Sequence, residues 1–165
     1  MTHTAFTTFL LSACVAAAVS AEVPAKFEAQ IDHFEHDRYA VELRDASLSY
    51  RHTRGGEVVA EAKITPTAAQ WREFRKALDG VDVWAWQRSY QPEETVFDGT
   101  TWSLSVRYAD RSVFTSGENC YPEADARPCV AGLRTPRFMR LESALETLLG
   151  GKSFRSADHA ATKEP

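Results

Sequence analysis

The sequence has no excess of basic charge. Its 19 lysine and arginine residues are outnumbered by 23 aspartate and glutamate residues, which leaves a formal net charge of −4 at pH 7. Nucleic-acid-binding domains usually carry a basic patch, and proteins that bind membrane surfaces usually carry polybasic segments. We therefore expect no nucleic-acid partner, and contact with a membrane only through a covalent lipid.

Catalytic and cofactor motifs are also missing. The chain contains no GxSxG, HExxH or GxGxxG segment and no phosphate-binding loop. His33 and His36 lie three positions apart on a predicted strand, so their side chains project to opposite faces and do not share a metal ion. His33 falls on the apolar phase of that strand, which favours a buried structural role. We expect no catalytic motif, no cofactor and no metal site.

Charged side chains are absent from residues 1–21 as well, where an apolar run leads into Val19-Ser20-Ala21. Small residues at this position form a signal-peptidase cleavage site, and the run is shorter than the about 20 residues that span a membrane. The pattern predicts a signal peptide over residues 1–21, a globular domain over residues 22–154 and a disordered tail over residues 155–165. The mature protein would then be periplasmic or secreted.

Residues 11–14 (LSAC) offer a second processing route, because they form a lipobox in which Cys14 would be lipidated. The absence of lysine and arginine before Cys14, and the apolar run that continues past it, favour ordinary cleavage after Ala21. Both routes place the domain outside the cytoplasm, and only the second anchors it to a membrane.

Few cysteines remain after the leader. Cys120 and Cys129 form an even pair, and an oxidising compartment favours a disulfide between them. Zinc is the alternative, but two thiols without a clear histidine partner are weak evidence for it.

Alternating apolar residues predict most of the secondary structure. Strands are expected over residues 27–33, 39–50, 58–64, 81–86, 100–108 and 111–116, with a bulge or bend at Arg44–Asp45 where the phase slips by one. Helices are expected over residues 67–79 and 135–149, each opened by a threonine cap. The order of elements predicts a single-domain α+β fold with an antiparallel sheet and two helices packed on one face.

Aromatic residues are concentrated between residues 84 and 121, which hold three of the four tryptophans and three of the five tyrosines. Trp84, Trp86, Arg88 and Tyr90 share one side of the predicted strand. Tryptophan and tyrosine suit ligand contact because they combine a large rigid surface with a polar group. Plain core packing is the other interpretation of the same residues.

Three motifs follow in order, namely residues 98–104 (DGTTWSL), 108–110 (YAD) and 116–122 (SGENCYP). In order and spacing the chain resembles a group of small bacterial exported or lipid-anchored proteins of unassigned activity. The resemblance implies a fold but no mechanism. Two departures are Arg111 where the pattern has glycine, and Cys120 where it has an unpartnered small residue. The shared residues that add candidate binding positions are Asp98, Asn119 and Tyr121.

Three functions fit these observations. The preferred one is a non-enzymatic exported domain that binds a protein, a glycan or another envelope component through the aromatic face or the Asn119–Tyr121 loop. A second is a protein inhibitor that presents the loop closed by the disulfide to an enzyme. The third is a hydrolase-like domain in which Asp98, Asn119 and either Glu118 or His52 converge on one pocket.

Overall fold

A computed structural model describes residues 23–33, 36–93, 99–123 and 129–155 of the chain. The strands are β1 (Lys26–His33), β2 (Asp37–Arg44), β3 (Ser47–Arg54), β4 (Glu57–Ile64), β5 (Ser89–Tyr90), β6 (Thr100–Arg107) and β7 (Ser112–Glu118). The α-helices are α1 (Ala68–Gly80) and α2 (Pro136–Leu148), and a 3₁₀ turn spans Val83–Ala85. The predicted signal peptide with Cys14, and residues 156–165 of the predicted tail, lie outside the described residues.

The strands form one seven-stranded sheet in the order β4-β3-β2-β1-β6-β7-β5. Neighbouring strands are antiparallel except β5, which runs parallel to β7. The α+β class is confirmed, whereas the expectation of a purely antiparallel sheet is corrected by β5. This strand pairs through only two residues, too few to produce an alternating pattern.

The prediction of one strand over residues 39–50, with a bulge or bend at Arg44–Asp45, is wrong, because β2 and β3 are separate strands joined by a tight turn. Asp45 and Ala46 both have positive φ, 47° and 63°, which is the backbone of a two-residue type I′ hairpin turn. Such a turn reverses the chain and accounts for the phase slip. The register does shift, but farther on, between His52 and Thr53 on β3 against β4.

Ala46 gives a testable consequence of this turn. A left-handed φ destabilises the fold by on the order of 1 kcal/mol when the residue is alanine, and glycine avoids this cost. We expect Ala46→Gly to raise the free energy of unfolding by roughly 0.5–1 kcal/mol, measured by urea denaturation. Ala40→Gly in extended β2 is the matched control and should lower it by a similar amount. A decrease in both variants would contradict this account of the turn.

Helix α1 begins where its sequence predicts. Thr67 caps it, and the Gln70 side chain accepts from the Thr67 backbone N–H at 2.8 Å, which completes a capping box. The buried face of α1 packs Trp71 and Phe74 edge-on against Phe27 of β1, with ring centroids 5.8 and 5.4 Å apart. These contacts attach α1 to the centre of the sheet.

Helix α2 begins after Thr135, whose hydroxyl accepts from the Phe138 N–H at 3.2 Å. The same hydroxyl donates to the Pro122 carbonyl at 2.6 Å, so the cap also fastens the loop that follows β7. Phe138 packs on Trp102 of β6, with ring centroids 4.9 Å apart. The two helices thus contact neighbouring strands of the sheet.

Candidate functional site

Residues 81–86 do not form the strand that their alternation predicts. Helix α1 runs to Gly80, and the chain turns back at once through Asp82, which has a φ of 52°. The N–H groups of Ala85 and Trp86 donate to the carbonyls of Asp82 and Val83, so the backbone bonds locally rather than to a sheet. Valine and tryptophan favour strands by propensity, but the end of the helix requires a turn here.

As a result, Trp84 and Trp86 do not share a face. Trp86 is 7% exposed and its indole N–H donates to the Val81 carbonyl at 3.0 Å, inside the core. Trp84 is half-buried on the other side of the turn, where its indole N–H donates to Asp79 at 2.6 Å. The Arg111 guanidinium lies 5.3 Å from the Trp84 ring centroid, which stacks a cation on the indole.

Arg88 and Tyr90 also separate. The Arg88 guanidinium lies 5.7 Å from the exposed Phe114 ring. Tyr90 is half-buried against Trp102, at 5.9 Å between centroids, and its hydroxyl accepts from the Gln87 N–H. The shared aromatic face expected from the sequence is therefore absent, and the packing interpretation holds for Trp86 and Tyr90.

Asn119 braces the end of the sheet. It adopts a φ of 50°, and its side-chain oxygen accepts from the Thr100 N–H at 2.6 Å. Its own N–H donates to the Thr100 carbonyl, and the Gly132 N–H donates to the Asn119 carbonyl. A Cβ on Gly99 would overlap the Asn119 side chain, so glycine is needed there for close approach. Asn119 is buried and acts as a loop brace.

Tyr121 lies in the core rather than on a surface. Its ring stacks on Trp102 at 6.4 Å and packs on Phe138 at 4.6 Å. Burial raises the pKa of the Tyr121 hydroxyl, although the nearby Arg134 charge partly opposes this. Tyr121 is 2% exposed, so its hydroxyl does not reach a ligand at the surface.

The disulfide between Cys120 and Cys129 is present, with Cα atoms 5.6 Å apart. It fastens the loop after β7 beside the Asn119 turn. Residues 124–128 of this loop, and Asp98 of the candidate set, lie outside the described residues. The inhibitor hypothesis that depends on this loop therefore stays a prediction.

The residues of the hydrolase hypothesis bond to different partners. His52 meets the Asp37 carboxylate at 2.6 Å and stacks on Tyr39, while Asn119 bonds to Thr100. Burial raises the pKa of Asp37, but the hydrogen bonds from Arg54 and His52 outweigh it and lower the pKa below 3.8. The ionised Asp37 carboxylate holds Arg54 and His52 in place. We therefore interpret this cluster as a structural ion pair and not as a catalytic group.

A buried polar network, missed by the sequence analysis, runs from β1 to α2. His33 bonds to the Thr100 hydroxyl at 2.8 Å, so its expected structural role is confirmed. Thr100 and Arg134 both act on the Tyr121 hydroxyl and lower its pKa against the effect of burial, and Arg134 pairs with Glu142 at 3.2 Å. The network joins the start of β6 to the start of α2.

Glu142 is the most unusual member of this network. It is 0% exposed, and burial raises the pKa of its carboxyl to about 7 although Arg134 and Arg155 lower it. Glu142 lies four residues after Phe138 and one after Leu141, which places it on the apolar stripe of α2. This position is the feature of the sequence that could have predicted its burial. Because Glu142 does not reach solvent, it acts on stability rather than on a ligand.

An open surface lies on the outward side of strands β1 to β4 and β6. Two shallow grooves of about 590 and 500 Å³ meet there and share Arg44, Ser49 and Arg51. We call this area the groove surface; it comprises Glu28, Gln30, Ala40, Glu42, Arg44, Ser49, Arg51, Glu61, Lys63 and Ser103. Nothing in the sequence distinguishes this surface, because outward polar residues on a strand also form an ordinary solvated face.

Small side chains form the floor of the groove surface and ion pairs form its rim. Ala40 lies opposite Arg51 across β2 and β3, and Gln30 lies opposite Ser103 across β1 and β6. The ion pairs join Arg44 to Glu42 at 2.6 Å and Arg51 to Glu61 at 2.6 Å. These charges are exposed, so they add little stability and remain available to a partner.

Two features are absent from the described ranges. No group of three or more histidine, cysteine, aspartate or glutamate side chains is placed to hold a metal ion. None of the described helices has the length and apolar character needed to cross a membrane. No protein-family model matches the chain, and no curated protein matches it in sequence at a significant level.

Proposed function

We propose that this chain is an exported, non-enzymatic binding domain of the cell envelope that holds another protein against its groove surface. The observation that carries the proposal is the pair of adjoining grooves on the outward side of the sheet, bordered by charges of both signs. The buried aromatic candidates support the fold behind this surface instead of forming the contact.

We also infer that both helices cover one face of the sheet. Phe27 and Ile31 lie on the same side of β1, and Trp102 is the β6 partner of Ile31. Since α1 packs on Phe27 and α2 packs on Trp102, we infer that the helices occupy that side. The groove surface is on the opposite side, because its strand residues alternate with the buried ones.

The shape and polarity of the groove surface favour a protein partner over a small molecule. Small-molecule sites are usually concave and mostly apolar, with few polar groups. These grooves are shallow, wide and bordered by arginine and glutamate. Complementary charge across a broad contact gives specificity and a fast association rate in protein complexes. The disulfide is compatible with an oxidising compartment, which supports the exported location.

Site-specific photo-crosslinking in the native host tests this proposal. A photo-reactive residue at Ser49 should form an adduct with a discrete envelope protein, and one at exposed Met139 on α2 should not. Adding Ala40→Arg, which fills the groove floor, should remove the Ser49 adduct by steric overlap and altered charge. An unchanged adduct, or equal crosslinking from Met139, would count against the groove surface.

Mass spectrometry of the same material tests the exported location separately. We expect a mature chain that begins after Ala21. A chain lipidated at Cys14 would keep the envelope location but move it to a membrane anchor. An intact N-terminus together with reduced cysteines at positions 120 and 129 would contradict export.

A further inference from the structure

Strand β4 is an edge strand of the sheet, and its free edge is complementary to the same edge of a second copy. The β4 strand pairs with β3 on one side, and no strand within the described residues pairs with its other side. Val58 and Val59 are each more than half exposed on this strand. A long edge strand presents unpaired N–H and C=O groups, which are a template for another strand.

We propose that two copies of this chain associate by antiparallel pairing of their β4 edges, centred on Ala62. For the two groove surfaces to lie on the same side of the joined sheet, opposed residues must share a face. In a symmetric antiparallel pair this is so only when one residue lies directly opposite its own copy at the centre of the contact. In the middle of β4, the residue at this centre is Ala60, Glu61 or Ala62.

Charge and backbone regularity select among these registers. A centre at Glu61 places this glutamate against its own copy, which is destabilising across a strand pair. A centre at Ala60 uses the residues on both sides of the shift at His52/Thr53, where the strand is irregular. A centre at Ala62 uses the regular stretch from Ala60 to Ile64, which lies opposite Leu48 to His52 on β3.

The register centred on Ala62 is complementary on both faces. On the groove side, Glu61 of each copy lies opposite Lys63 of the other. On the helix side, Ala60 lies opposite Ile64, and both are part of the partly buried border of the core. Lys63 is exposed and makes no ion pair within the part of the chain that the structure describes. Its charge is therefore free to meet Glu61 of a second copy.

Two features limit the contact to this stretch. Beyond Ile64 the chain reaches Pro66, which has no N–H to donate. At the other end, the bulge near Val59 turns the strand out of the regular ladder. Five residues on each chain give a small contact, so the dimer is a weak, reversible one. The first groove, which includes Glu61 and Lys63, would then continue into that of the second copy.

Sedimentation equilibrium of the purified chain with charge variants tests the proposal. The wild type should pass reversibly from one to two chain masses as concentration rises. Lys63→Glu and Glu61→Lys should each weaken self-association by roughly tenfold or more, because both cross-strand pairs become like-charged. An equimolar mixture of these two variants should associate as the wild type does, because lysines then face glutamates. The doubly exchanged chain should also self-associate.

Glu57→Lys is the matched control, since residue 57 lies on β4 outside the paired stretch, and it should leave association unchanged. Circular dichroism establishes that each variant is folded. A wild type that stays monomeric at every concentration overturns the proposal. So does a mixture of the two single variants that fails to associate. These outcomes concern self-association alone, so they are distinguishable from a failure of the crosslinking test on the groove surface.

Discussion

Trp102→Ala is expected to lower the free energy of unfolding by roughly 3–5 kcal/mol, the usual cost of removing a large buried aromatic ring. Four other rings meet the Trp102 indole, with centroids 4.9–6.4 Å away: Trp86, Tyr90, Tyr121 and Phe138. The Trp102 N–H also donates to the Cys120 carbonyl at 2.9 Å. Urea denaturation followed by circular dichroism measures the loss.

Two further variants separate the contributions of Trp102. Trp102→Phe keeps a ring but leaves the Cys120 carbonyl without its donor, so we expect a cost of about 1–3 kcal/mol. Trp84→Ala is the control, because this half-buried ring contacts Tyr108 alone among the aromatic side chains described. Equal losses for Trp84→Ala and Trp102→Ala would show that the indole of Trp102 is not the centre of the aromatic core.

The free energy of unfolding is expected to fall by about 3 kcal/mol as the pH rises from 4.5 to 7, because of Glu142. Its carboxyl has a pKa of about 7 in the fold, against an ordinary value of 4.5. Between these values the folded chain holds a proton that the unfolded chain has released. The contribution of Glu142 to the free energy of unfolding is therefore greatest below pH 4.5, and it is lost as the pH rises through 7.

Glu142→Gln should remove this pH dependence, because glutamine does not titrate. Denaturant unfolding at pH 5 and pH 8 measures the slope for each protein. Glu73→Gln, on the exposed face of α1, is the control and should keep the slope of the wild type. Persistence of the full slope in Glu142→Gln would contradict the assignment. The ion pair with Arg134 is lost in this variant, so its overall stability is compared only with itself at different pH.

The long elements were predictable from sequence because each has a clear period and clear ends. Strand β6 alternates apolar and polar residues along its length, and α1 carries both a threonine cap and an apolar stripe. The disulfide followed from having two cysteines after the predicted leader. In each case the local pattern agrees with the packing around it.

The errors have physical causes that local patterns do not contain. Asp45–Ala46 lacks the glycine typical of a type I′ turn, so the hairpin looked like a bulge. Residues 81–86 have strand propensity, yet they follow directly on a helix that ends at Gly80. Glu142 is a charged residue on an apolar stripe, and its neutralisation depends on burial that only the packed fold supplies.

The groove surface could not be identified from sequence for a different reason. Ala40, Ser49 and Ser103 come from three strands, and their proximity depends on strand order. That order places β1 between β2 and β6, with residues from distant parts of the chain beside each other. The alternation of one strand says which residues face outward but not which neighbours they meet.

The central place of β1 also determines how the molecule must assemble. Only a few residues separate each strand from the next between β1 and β4, whereas β6 pairs with β1 across 67 to 81 residues of sequence. Local pairs lose less loop-closure entropy, so the N-terminal meander can form before the rest. Until β6 pairs with it, β1 presents an unpaired strand edge. A newly made chain is most vulnerable to aggregation during that interval.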